Sequence, residues 1–115
     1  MAGVTTLTPT VITDAGVSQA LSAANSCGSK WKARYNDFVR VTNTTGTDIR
    51  IVFANQIGGS DLDITVAATT GDETIAFDVD NPIGDFTDEG GYVNFTWTGT
   101  VASNVSVGIF RMPAA

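Results

Sequence analysis

The residues of this chain with chemical capacity are its carboxylates. Nine of the twelve acids fall within residues 61–89, and there is no histidine. Without imidazole the commonest general base and metal ligand are both missing, so neither a Ser-His-Asp nor a Cys-His arrangement can be assembled. Asp61 with Asp63, and Asp78 with Asp80, stand two residues apart. On a strand that spacing aims both carboxylates the same way, the minimum for glycosidase chemistry. Acids that alternate with aliphatic residues more simply keep the outer face of a strand wet. The densest run of oxygen ligands, residues 78–89, aligns with the calcium loop D-x-[DN]-x-[DN]-G-x5-E at its first, third and twelfth positions. It carries Pro82 at the fifth and Ile83 where the glycine belongs, so it is not an EF-hand. A different oxygen-cage calcium site is the alternative there, and the simpler reading is an acidic, solvent-exposed loop. No GxSxG elbow and no P-loop occur. The expectation is therefore a protein that is not an enzyme and holds no cofactor or metal.

Charge is the second source of chemistry. Six basic residues against twelve acids leave a net charge of -6, which argues against a nucleic-acid partner, because phosphate neutralisation needs a basic surface. Four of the six cations, Lys30, Lys32, Arg34 and Arg40, lie within eleven positions. They are candidates for meeting an acidic partner, against the alternative of a solvated strand face. Cys27 is alone, so no intramolecular disulfide forms. That composition suits a reducing compartment. The first residues have neither a basic start nor an apolar run, and no stretch reaches the ~20 apolar residues of a membrane span. The protein is expected to be made in the cytosol, with no membrane partner. The sequons at Asn43, Asn94 and Asn104 are then strand and turn chemistry.

The elements that must position these residues are strands. Residues 36–56 hold two alternating apolar runs, Val39 and Val41, then Ile49, Ile51 and Phe53. Asn43, Thr44, Thr45, Gly46, Thr47 and Asp48 lie between them. The pattern predicts a β-hairpin. The same period of two recurs at Leu62, Ile64 and Val66; at Ile75, Phe77 and Val79; at Val93, Phe95 and Trp97; and at Val105, Val107 and Ile109. Residues 98–104 are predicted to join the last two strands as a hairpin. Residues 26–36 predict a strand with Trp31, Ala33 and Tyr35 inward and Lys30, Lys32 and Arg34 outward. Residues 15–25 carry the only helical case, with Asp14 as a candidate N-cap, against a nearly equal extended alternative. Residues 1–14, rich in Thr and interrupted by Pro9, predict an extended arm or edge strand. The expected architecture is an all-β fold, an antiparallel β-sandwich or jelly-roll-like barrel, with an extended N-terminal arm at 1–14 and a single domain at 15–115.

Three stretches, NDFVRVTNTTGTDIRIVFANQ, DLDITVAATTGDETIAFDV and GYVNFTWTGTVASNVSVGIFRM, carry a resemblance over residues 36–112 to the small capsid decoration proteins of tailed bacteriophages. The resemblance implies a β-sandwich or jelly-roll protein on the outside of an icosahedral head, assembled in the host cytoplasm. Such proteins are often trimers, and they fasten neighbouring major capsid proteins together. In that setting the arm, with Thr5, Thr6, Leu7 and Thr8, is the candidate for strand addition to a neighbour. Lys30, Lys32, Arg34 and Arg40 are the candidates for an acidic capsid surface. The competing classes are a carbohydrate-binding or host-adhesion module using Trp31, Tyr35, Tyr92 or Trp97 as a stacking platform, and a tail or neck component. Trp97, in phase with Val93 and Phe95, is expected in the core, which weighs against the sugar reading.

Overall fold

The computed structural model describes residues 4–12, 21–99 and 105–112, and these are all-β. The strands are β1 (Thr5–Leu7), β2 (Thr10–Val11), β3 (Ser22–Ala23), β4 (Ser29–Lys32), β5 (Asp37–Asn43), β6 (Ile49–Phe53), β7 (Leu62–Val66), β8 (Gly71–Ala76), β9 (Tyr92–Thr98) and β10 (Val105–Arg111). One sheet has the order β1-β4-β9-β6-β7. The second has the order β2-β10-β5-β8, with β3 also pairing β10. Trp31, Ile49, Ile51, Phe53, Val66, Val93 and Phe95 of the first sheet meet Val39, Val41, Ile75, Val105, Val107 and Ile109 of the second in one core. Alternation supplied those inward positions. Removing them from water is the main favourable term of folding.

The expected central hairpin does not form. β5 pairs with β10 and β8, whereas β6 pairs with β7 and β9, so residues 44–48 cross from one sheet to the other. Alternation reports which face is buried, and it is the same whichever strand lies alongside. β9 and β10 also belong to different sheets, which overturns the expected hairpin there; residues 100–104 lie outside the described residues. The antiparallel expectation holds for the central strands and fails at the edge, where β1 pairs β4 and β2 pairs β10 in parallel. The described part of the arm, residues 4–12, thus lines an edge of both sheets in turn. Pro9 falls between its two strands, where no ladder donor is needed. Of the helical candidate at 15–25, residues 15–20 and the N-cap candidate Asp14 lie outside the described residues, while Ser22–Ala23 is strand.

Two further expectations are corrected. β8 ends at Ala76, so Val79 is not in its inward row and is 93% exposed. The acidic loop is not wholly solvated: a 3-10 turn at Ile83–Phe86 drops Ile83 and Phe86 into the core. There Phe86 lies 5.7 Å from the Phe77 ring.

Asn43 holds the crossing corner. Its fully buried side chain donates from Nδ2 to the carbonyls of Thr47 at 3.0 Å and of Val66 and Ala67 at 3.1 Å each. Its Oδ1 accepts from the Thr45 N–H at 3.0 Å and the Thr45 hydroxyl at 2.6 Å. The β5–β6 corner is thereby tied to the β7–β8 corner, where the Thr69 N–H also donates to the Thr45 carbonyl at 2.7 Å. Gly71 permits the approach, since a Cβ there would stand 2.1 Å from the Ala67 carbonyl oxygen. Replacing Asn43 with Ala leaves buried carbonyls without donors, and stability should fall by about 2–4 kcal/mol. Urea unfolding checks this: the midpoint should drop with the slope unchanged. An unshifted midpoint would show that the corner stands without the amide.

A candidate cationic face beside the arm

β4 alternates as its sequence requires. Ser29 and Trp31 are buried, and Lys30 and Lys32 stand on the outer face. Thr6 of β1 lies opposite Lys30 on one side, and Asn94 of β9 lies opposite it on the other, while Tyr92 faces Lys32. Lys30 Nζ is 4.8 Å and Lys32 Nζ 5.5 Å from the Tyr92 ring centroid. The ring therefore holds both cations, each contact being worth about 0.5–1 kcal/mol at an exposed site. Gly91, at φ +87°, makes room for this: a Cβ there would come within 3.2 Å of Lys32 Cε.

Asp88 organises the approach to β9. It accepts from the backbone N–H groups of Tyr92 at 3.0 Å and Gly90 at 2.9 Å, and from Asn94 Nδ2 at 3.0 Å. Its pKa is lowered, first by the Tyr92 N–H and then by Asn94, with the Lys30 charge adding to the effect. The Asp-x-Gly-Gly stretch before β9 is the signal of such a turn. From sequence, Asp88 figures only in the acidic run and Asn94 only as a sequon; their shared role in this turn is not read from it.

The eight expected partner-binding residues separate. Thr6, Lys30 and Lys32 share the outer face of the first sheet, with exposed Thr8 just beyond the end of β1. Thr5 takes a hydrogen bond from Asn25, and Leu7 packs against the core. Arg34 is exposed in the β4–β5 turn. Arg40 stands on the opposite sheet, bidentate to Asp72 at 3.0 and 2.7 Å, and its pKa is raised by that bond. Among the described residues the ion pairs use Arg40, Arg50 and Arg111, so Lys30, Lys32 and Arg34 enter none. Of the aromatics named for sugar stacking, Trp31 is fully buried and Trp97 is half-buried against Phe95. The inward position expected for Tyr35 is corrected: β4 stops at Lys32, and Tyr35 lies in the turn, 84% exposed.

This face is anchored from below by Asp37, which is almost wholly buried. Asp37 accepts from Arg111 at 2.7 and 2.9 Å, from Trp31 Nε1 at 2.9 Å and from the Arg34 N–H at 2.9 Å. Arg111 also donates to the Lys32 carbonyl at 3.0 Å. Burial pushes the Asp37 carboxyl up, but the Arg111 bond, the Arg34 and Trp31 donors and the Arg111 charge together outweigh it and leave the pKa below the usual 3.8. Among the described residues no three Cys, Asp or Glu side chains converge as a metal site. Asp78 in the acidic loop instead accepts from the N–H groups of Asp80 and Asn81. No described helix is long and apolar enough to cross a membrane. No protein-family model matches the chain, and neither a curated protein nor a solved structure does so.

Because the folded-state pKa of Asp37 is depressed, its contribution to stability is complete above the ordinary carboxylate value. It is lost as pH falls through the depressed one. Asp37→Asn should cost about 3–5 kcal/mol at neutral pH, because the partly buried Arg111 is left without its counter-charge. The variant should also lose less additional stability than wild type below about pH 4. Melting temperatures of both proteins across the acid range check this; parallel curves would contradict it.

Proposed function

We propose that this chain is a structural attachment protein, not an enzyme, and that the face carrying Thr6, Lys30, Lys32 and Tyr92 lies on an acidic protein surface. Two lysines that enter no ion pair among the described residues, held on a sheet beside the arm, carry the reading. A flexible patch would lose more side-chain entropy on docking than lysines already laid on a ring. The overall charge of -6 keeps the rest of the molecule from competing for the same acidic partner, so attraction is confined to this face.

The resemblance to phage capsid decoration proteins supplies the partner class: the major capsid protein, met on the outer surface of the head. In this reading the two packed sheets are a sandwich of jelly-roll type, and many copies hold the shell through multivalency. Among the described residues β1 pairs only β4, so its other edge is the side on which a neighbouring strand would add.

The test is co-sedimentation with phage heads that lack the protein. Reversing both charges, Lys30→Glu with Lys32→Glu, should weaken binding by about 10- to 100-fold, and added salt should weaken wild-type binding steeply. Arg40→Gln, on the other sheet, should leave binding within about twofold. Unchanged binding by the double variant would overturn the assignment of this face.

A further inference from the structure

A second surface, at the end of the molecule where β5 begins and β8 and β10 end, is apolar. Tyr35, Phe38, Ala76, Phe77 and Met112 line an open groove of about 400 Å³. Phe38 is stacked on Phe110 at 5.6 Å and thereby held in place. Tyr35 is 84% and Met112 48% exposed, so the groove has apolar walls without a cover among the described residues. Two residues past Phe77 stands Val79, at 93% the most exposed large hydrophobic side chain described. It does not hang on a loose loop: Asp78 Oδ1 accepts the N–H groups of Asp80 at 2.9 Å and Asn81 at 3.0 Å, turning the chain at Val79.

We infer that this end pairs two copies of the chain about a twofold axis, the Val79 of each seated in the groove of the other. Knob and groove lie two residues apart on one patch, which makes the patch self-complementary, as an isologous interface requires. A closed trimer, which the resemblance implies, needs knob and groove on separate surfaces. Charge agrees with the pairing. Val79 is flanked by the exposed carboxylates Asp78 and Asp80, while the groove is flanked at Tyr35 by exposed Arg34, which is in no ion pair among the described residues. Across the axis the acids of one copy come to the side of the groove that carries the Arg34 of the other.

Light scattering over a hundredfold range of protein concentration tests the pairing. Wild type should move towards twice the 12.0 kDa of the chain as concentration rises. Val79→Asp, at a position too exposed to disturb folding, should stay at 12.0 kDa. Arg34→Asp should weaken pairing by about tenfold or more, and adding Asp80→Arg should restore it. A single-chain mass throughout, an oligomer indifferent to Val79→Asp, or a failed charge swap would each overturn the inference. A single-chain mass combined with loss of head binding by Val79→Asp would assign the groove to the head surface instead. Head binding by a monomeric Val79→Asp variant, lost on reversal of Lys30 and Lys32, separates this interface from the cationic face.

Discussion

The ion pair of Asp37 with Arg111 is the constraint on which the arrangement of this molecule turns. Asp37 opens β5, Arg111 closes β10, and the pair is almost fully removed from water on the Asp37 side. A buried carboxylate is tolerable only when its oxygens are filled. Here the remaining acceptor capacity is taken by Trp31 Nε1 and by the Arg34 N–H. Both donors come from β4 and its following turn, in the other sheet. Satisfying one charge therefore ties the two sheets together at this end. The Arg111 bond to the Lys32 carbonyl extends that restraint to the end of β4, and so to the lysines on its outer face.

The two ends of the molecule are built differently as a result. At the far end Asn43 ties two crossing corners with neutral hydrogen bonds, and the inner strands end in buried polar contacts. At the near end the buried ion pair lies under a surface with exposed Tyr35, Val79 and Met112. Apolar side chains in water carry a standing cost unless something covers them. In the proposed pairing of two copies, their gathering beside the ion pair would put the contact on restrained scaffold, which reduces the ordering lost on binding.

Much of this was legible in the residues themselves. The inward rows Val39 and Val41, Ile49, Ile51 and Phe53, Val93 and Phe95, and Val105, Val107 and Ile109 follow from period-two alternation, and each is buried. Lys30 and Lys32 point outward for the same reason. Tyr35 and Val79 were misread because alternation was continued past Lys32 and Ala76, where the strands end. Strand ends depend on where neighbours stop offering hydrogen bonds, and a single segment holds no record of that.

The amino-acid sequence by itself therefore determined the class of fold, the faces of its strands and the absence of imidazole chemistry, since each depends on residue type and local spacing alone. Only the tertiary structure decided which strands are neighbours. It sent β5 and β6 to opposite sheets despite a hairpin-like sequence, and separated Arg40 from the lysines eight and ten residues before it by pairing it with Asp72. Strand pairing and charge partnership are long-range choices, settled by which arrangement buries both apolar faces at once while giving the buried Asp37 and Asn43 their partners.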